Sequence, residues 1–563
     1  MKNIFTIALF FILTSVSFTQ ENFEDWFKYP LERERESQLY PLPGPVNTNP
    51  SSNLFFNINI SQNSAPQNEP SVCISRKDPN RVVAAWRDFR YGVDPVANRR
   101  VGYSYSTNGG LTWSNSVLLD STLLPGSTRN SDPVVTVDTA GNFYIAVIAI
   151  TFPAGDLTLA VYKSINGGVT FPNAYVCATG GTEDKEWITS DLSPISPYRN
   201  SLYISWTRFA GSTGIKLTKS VNGGVNWSAP VGVSDVTSGV QGSNVAISRN
   251  GQVNVTWLAY GSNASVMYDR STNGGLSFGT DITVSAGPFP SGLPNDVGTF
   301  PFIKVDRGTG PRSGMIYIVF ADNRNGDCDV FLCRSTNAGL NWSAPVRVNS
   351  DAISNGKIQY WPCIAVNEAG NISIVFMDSR NTPDNTIVEA YLARSTDGGL
   401  TFTNELVSSE PTPTNIPGSN VRFGDYIDID YVGQNVVPVW TDERAGGFNM
   451  DIYTSEISEL LPIEPIAGTL PDEFILEQNY PNPFNPSTKI QFNIPPSKGV
   501  RGMTTRLVIY DLLGREITSL VNGELNPGKY EITFDGTDYS AGVYFYKLIT
   551  SEYTETRKMV LVK

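Results

Sequence analysis

The 563-residue chain contains no histidine. That absence removes Ser-His-Asp and Cys-His nucleophile activation, HExxH zinc chemistry and imidazole general bases. Carboxylate, guanidinium, tyrosine and lysine remain, and one short signature concentrates the first two. It occurs as Ala85-Trp-Arg-Asp-Phe-Arg90, Val319-Phe-Ala-Asp-Asn-Arg324, Val375-Phe-Met-Asp-Ser-Arg380 and Val439-Trp-Thr-Asp-Glu-Arg444. Each copy closes an apolar run with an aspartate two residues before an arginine: Asp88 and Arg90, Asp322 and Arg324, Asp378 and Arg380, Asp442 and Arg444. Bidentate Asp–Arg pairs that tie repeated units together are one reading, and repetition in four places favours it. The functional reading is a pocket in which guanidinium forks grip the carboxylate of an acidic glycan. A unique active site needs unlike residues in each unit.

The elements that must carry these residues follow from a second, longer repeat. Ser106-Thr-Asn-Gly-Gly-Leu-Thr-Trp113 recurs from Ser164, Ser220, Ser271, Ser335 and Ser395, at intervals of roughly 50 to 65 residues. Its Asn or Asp folds back onto nearby backbone amides, the Gly pair supplies the positive φ of a tight turn, and the last aromatic packs beneath it. Alternating stretches flank every copy, such as Arg100-Val-Gly-Tyr-Ser-Tyr105 before and Pro345-Val-Arg-Val348 after, so each turn joins two antiparallel strands. The pattern S-x-[DN]-x-G-x-x-[WF] resembles the Asp-box, or BNR repeat, of sialidase-like β-propellers. Two further strands precede each hairpin, which makes a four-strand blade. Units begin near Glu69, Ser131, Glu183, Gln241, Thr299, Gln359 and Arg422, a count of seven, with six as the alternative. The seventh unit has three strands and no Asp-box; the strand Leu54–Ile60 is expected to complete it and leave no open edge.

Sialidases carry an Arg-Ile-Pro motif on the first strand, three arginines for the substrate carboxylate, a Tyr nucleophile and an Asp acid/base. Here Asn68-Glu69-Pro70 occupies the Arg-Ile-Pro position. By resemblance, Arg90 matches the arginine of the following strand, Asp94 the acid/base, and Gly424-Asp-Tyr426 the strand bearing the tyrosine, so Asp94 and Tyr426 are the catalytic candidates. With the first arginine missing, the resemblance implies a binding propeller before a sialidase.

The two ends carry other signals. Met1 to Leu13 has one Lys followed by a short apolar run, and small residues follow at Ser15 and Ser17. It reads as a cleaved secretory signal over residues 1–20, being too short for the roughly 20 apolar residues of a membrane span. An N-terminal extension covers 21–52, the propeller 53–460 and a Pro-rich linker 461–472. Residues 473–563 read as a small immunoglobulin-like β-sandwich. Tyr480-Pro-Asn-Pro-Phe-Asn485, Val508-Ile-Tyr-Asp-Leu-Leu-Gly514, Ala541-Gly-Val-Tyr-Phe-Tyr546 and Lys558-Met-Val-Leu-Val-Lys563 resemble the type A C-terminal sorting domain of the type IX secretion system. That resemblance implies export to the outer cell surface or medium, with the secretion machinery as partner.

Net charge of −13 disfavours nucleic-acid and anionic-membrane partners. Five cysteines without metal-site spacing give no disulfide framework; free buried thiols are expected, and no metal or other cofactor is. The expectation is an all-β chain, a secreted or surface-delivered propeller binding glycan or protein on its channel face. The alternative is a sialidase-like exo-glycoside hydrolase acting on acidic glycans.

Overall fold

The structure is a computed structural model and describes residues 57–563 except 93–98, 125, 152–156, 262–263, 291–292, 295–297, 415–420, 422, 445, 447–448, 456, 459–469, 497–502, 526, 537–538 and 551. The signal segment, the extension, most of the linker and Asp94 lie outside the described residues.

Seven antiparallel sheets form blades, each built from consecutive strands except the last. Blade 1 runs Gln67–Ile74, Val82–Asp88, Arg100–Ser106 and Val117–Leu118. Blades 2, 3 and 4 start at Ser127–Val137, Glu183–Ser190 and Val240–Ile247, and blades 5, 6 and 7 at Phe302–Val305, Gln359–Val366 and Asp428–Val432. These first strands pack against one another around the ring, the seventh against the first, and line a central channel. The ring is sealed by Asn57–Asn59, which pairs antiparallel with Asp451–Ser455 as the outer strand of blade 7, with Ile58 opposite Thr454. The strand expected to close the ring does so, and the count is seven.

Aromatic residues explain why the second strands stay buried. Trp86, Trp206, Trp257 and Trp440 occupy matching positions there and are fully buried. Full burial of such side chains is worth about 1.5–3 kcal/mol or more each.

The Asp-boxes close each hairpin as the repeat implies. Ser106 Oγ donates to Asn108 Oδ1 and accepts from Gly110 N, both at 2.9 Å; Thr112 N donates to Asn108 Oδ1, and Trp113 Nε1 to Gly110 O. Gly109 and Gly110 have φ of 77° and 104°, which the turn requires. Because strands alternate in direction, these turns lie at the far end of the channel from the starts of the inner strands, the end called here the mouth.

Beyond the ring, three- and four-stranded antiparallel sheets form the sandwich: Ile475–Leu476, Ser487–Ile494 and Gly528–Asp535 face Glu516–Leu525, Met503–Tyr510, Gly542–Thr550 and Thr554–Leu561. Phe484, Phe492, Phe534, Tyr546 and Leu548 fill its core. All five cysteines are buried and free.

Candidate functional site

The four Asp-x-Arg signatures end second strands on the mouth side, but their side chains run outward. Asp88 accepts from the Arg90 backbone N–H and Nε at 2.9 Å, from Arg90 Nη2 at 2.8 Å and from Trp86 Nε1 at 3.1 Å. Asp442 takes Trp440 Nε1 and Arg444 in the same way, at 2.9 and 2.6 Å. Asp378 accepts from Arg380 Nε at 2.7 Å, and Asp322 from Arg324 Nε at 2.8 Å. The guanidiniums then stack on third-strand rings, Arg380 on Tyr391 and Arg444 on Tyr453 at 4.3 and 4.2 Å. They also bind the rim: Arg90 donates to Ser116, Arg324 to Ser285, Arg380 to Ser350 and Asn404, and Arg444 to Ser409 and Asn57. Each pair is closed within its own part of the rim, and the structure does not bring the four together. Blade 3 makes the same clip from another position, with Glu183 of the inner strand accepting from Arg208 Nε and Trp206 Nε1.

The unlike residues converge elsewhere. The inner strands of blades 1, 2, 3, 4 and 6 each carry a β-bulge near the mouth. At its centre stand Glu69, Asp132, Lys185, Gly242 and Trp361, with φ of 53°, 53°, 52°, 69° and 52°. Four non-glycine residues in this region store backbone strain at one level of one channel, a property typical of functional sites. Phe300 precedes the inner strand of blade 5, and Asp425 and Tyr426 that of blade 7.

These side chains meet across the channel. Lys185 Nζ lies 2.5 Å from Asp425 Oδ2, and 5.4 and 5.8 Å from the Tyr426 and Phe300 rings. Arg87 joins Glu69 at 3.5 Å and Asp132 at 3.9 Å, and donates from Nε to Asn68 Oδ1 at 2.8 Å. Gln241 Nε2 donates to Asp184 Oδ2 at 2.9 Å. Trp361 stacks on Phe423 and donates from Nε1 to Gly298 O. Asp132, Lys185, Gly242, Phe300, Phe302 and Tyr426 border a small open pocket.

Burial sets these groups apart electrostatically. It pushes Glu69 up to about 8, with Asp132 and Asp425 adding and Arg87 opposing. Burial also acts on Asp132, but Lys185 and Arg87 outweigh it and hold the carboxyl below its usual range. Asp184 rises to about 6, chiefly through burial, against Lys185. Two neighbouring carboxyls bridged by one guanidinium therefore differ in protonation at neutral pH. Among the described residues, Glu69 Oε2 has no hydrogen-bond partner.

Tyr426 lies in this cluster, its hydroxyl donating to Pro133 O at 3.3 Å. Burial, and then Glu69, push its phenol well above the ordinary range, so it stays protonated. Sequence reasoning missed Glu69 as a site residue, together with Asp132, Lys185 and Trp361. Three of them share a signal, the Pro that follows in Glu69-Pro70, Asp132-Pro133 and Trp361-Pro362, as it does in Phe300-Pro301; Lys185, followed by Glu186, lacks it.

Residues 478–563 match the family of secretion system C-terminal sorting domains. The chain thus carries a type IX sorting domain, which directs export to the cell surface or medium. No curated protein matches the chain. Among solved structures, it is similar to a leech intramolecular trans-sialidase (12% identity, 64% of this chain and 71% of that one, TM-score 0.42). It is likewise similar to a protein of unknown function from Dyadobacter fermentans (14%, 71% and 97%, TM-score 0.41). A third is an ulvan lyase of polysaccharide lyase family 25 (10%, 72% and 96%, TM-score 0.42).

Proposed function

We propose that the protein is an exported propeller that binds a glycan at the mouth of its channel. The observation that carries this reading is the ring of unlike residues on left-handed bulges: Glu69, Asp132, Lys185 and Trp361. Carboxyls that accept or donate to sugar hydroxyls, set beside aromatic faces, are the usual equipment of a carbohydrate site. The outward-turned Asp–Arg pairs supply rigidity around it. A glycan array probed with the full exported chain tests the reading. Glycan binding that disappears in Glu69→Gln and Asp132→Asn supports it; binding unchanged in both variants, or no binding to any glycan, refutes it.

A second reading is favoured by one observation, the pair of carboxyls Glu69 and Asp132 set on either side of Arg87, whose surroundings push the first toward its protonated and the second toward its ionised form. In a glycoside hydrolase the protonated carboxyl gives its proton to the leaving oxygen, while the ionised one attacks the sugar or activates water. With Tyr426 protonated and Asn68 where sialidases place an arginine, sialoside cleavage is not expected.

A further inference from the structure

The outer strands carry a joint that recurs between neighbouring blades. On blade 6, Asn404 reaches back to blade 5, where its Nδ2 donates to Val348 O and its Oδ1 accepts from Ser350 N, both at 2.9 Å. On the closing strand of blade 7, Asn57 reaches blade 6 in the same way: Nδ2 donates to Val407 O at 2.8 Å, and Oδ1 accepts from Ser409 N at 2.6 Å. One primary amide thus serves a carbonyl and the N–H two residues beyond it. The two asparagines are equivalent in register. Asn404 lies opposite Ala393 and Asn57 opposite Ser455, each four residues past the partner of a signature aspartate, Glu389 for Asp378 and Asp451 for Asp442.

Blade 4 fills this position with an acid. Ala259 pairs with Ser265, and four residues further on Asp269 stands opposite Asp281, one step beyond the pair of Tyr268 with Ile282. Asp281 reaches back to blade 3: its Oδ2 accepts from Asp235 N, and its own N–H returns a bond to Asp235 Oδ2, both at 3.0 Å. Two residues before Asp235 is Val233, the counterpart of Val348 and Val407. The three share a backbone setting, donating their N–H groups to Ile215 O, Val330 O and Ala390 O of their third strands. The carbonyl of Val233 is therefore the acceptor that the second atom of the joint has to serve, and a carboxylate has no hydrogen to give it. That atom, Asp281 Oδ1, is buried and has no hydrogen-bond partner among the described residues.

The surroundings of Asp281 favour a proton. On blades 6 and 7 a guanidinium reaches the joint, Arg380 Nη2 donating to Asn404 Oδ1 and Arg444 Nη2 to Asn57 Oδ1, both at 3.0 Å. Blade 4 has Ala259 and Gly261 where the signature has its Asp and Arg, so the guanidinium is missing. The charged side chains that face Asp281 are Asp235 from blade 3 and Asp269 from its own blade. Asp269 is 1% exposed; its Oδ1 accepts from Arg270 N at 2.6 Å and Gly279 N at 3.2 Å, and its Oδ2 has no partner among the described residues. Arg270, whose charge reaches Asp269, spends its Nη1 on Ala338 O. Two carboxyls directly opposite in a sheet resist ionising together. Burial pushes Asp281 up to about 6, with the Asp235 N–H opposing and the Asp235 and Asp269 charges adding.

We propose that Asp281 carries a proton in the closed joint, its Oδ1–H donating to Val233 O as the Asn404 amide donates to Val348 O, so that the seam between blades 3 and 4 is a latch that locks in acid and loosens in alkali. The sign follows from the direction of the shift. A carboxyl held above its ordinary 3.8 contributes stability that is complete below about pH 3.8 and is lost as pH rises through about 6. The asparagine joints of blades 6 and 7 make the same two bonds at every pH.

Asp281→Asn tests the latch, because it replaces a donor that depends on a proton with a permanent one. Melting temperatures of the full chain with and without the substitution are compared from pH 4.5 to pH 8 in the presence of a chelator. The variant is expected to gain on the unaltered protein as pH rises through about 6, by roughly 1–2 °C at pH 8. Glu69 and Asp184 titrate in both proteins and drop out of the difference. Hydrogen exchange of the unaltered chain is a second measurement that needs no variant. After correction for intrinsic exchange rates, protection of residues 231–237 should fall severalfold between pH 5 and pH 8, while residues 346–350 at the Asn404 joint keep theirs. Calcium added in place of the chelator should change nothing. A melting difference that is constant across pH, a variant less stable than the unaltered protein at pH 8, or exchange that responds to pH equally at the two joints overturns the latch. A calcium-dependent gain at pH 8 that Asp281→Asn lacks also overturns it, by giving the acidic pair to a cation.

Discussion

Lys163 Nζ of blade 2 donates to Gly223 O, inside the Asp-box of blade 3, at 2.9 Å. The contact repeats around the ring. Lys219 reaches Gly274 O at 2.7 Å, Arg270 reaches Ala338 O, Arg334 reaches Gly398 O at 3.1 Å, and Asn435 of blade 7 reaches Gly109 O of blade 1 at 2.8 Å. In blades 2 to 5 the residue before the box thus caps the next box, and Asn435 does the same from blade 7, so the turns hold blade to blade as well as strand to strand. Lys163→Met is expected to cost about 1 kcal/mol, the net worth of one such hydrogen bond, and to leave glycan affinity unchanged. Denaturant midpoints and array binding on the same preparation check both halves.

The closing strand predicts a larger effect. Ile60 is fully buried where that strand meets blade 7, and its backbone N–H donates to Ile452 O at 2.8 Å. Ile60→Ala should destabilise the ring by about 2–5 kcal/mol through the cavity it leaves. Hydrogen exchange should rise first in Asp451–Ser455, the strand it supports.

Removing Asp442 strips a buried carboxylate from Trp440 Nε1 and from Arg444, whose side chain is 8% exposed. The orphaned guanidinium makes Asp442→Ala expensive, about 3–5 kcal/mol. Ligand affinity measured well below the melting temperature should hold, since the pair faces the rim.

Glu69 predicts a pH dependence with a definite sign. Its folded-state pKa of about 8 stands above the ordinary 4.5, so the folded protein binds the extra proton. That contribution is complete below about pH 4.5 and is lost as pH rises through about 8. Melting temperature should therefore fall between these limits, and Glu69→Gln should flatten that slope. An identical slope in the variant rejects the assignment to Glu69.

Local chemistry made much of the ring legible. The Asp-boxes are read from eight consecutive residues because their hydrogen bonds close within the turn, and the unpaired strand near Ile60 was matched to the three-stranded seventh unit by the cost of an open edge. The mouth cluster was not legible in the same way. Whether Glu69 or Lys185 adopts a left-handed bulge depends on the neighbouring inner strands, and the residues that meet there come from all seven blades. The Asp-x-Arg signatures stood out because they are contiguous, but contiguity reported their shared task in the rim. Blade 3 hides the same task by drawing its acid, Glu183, from a different strand than Arg208.

The pairing of Ile58 with Thr454 joins the start of the ring to its finish across nearly its whole length. A chain made from its N-terminus delivers that first strand long before its partner arrives. Six blades can assemble in turn, each on the one before, but the circle stays an open arc until the strand ending at Ser455 has emerged. The sorting domain follows only after that point in the chain, so the export signal becomes complete only once the ring is able to shut. Linear order thus acts as a clock: every strand needed for closure is present before the address is complete.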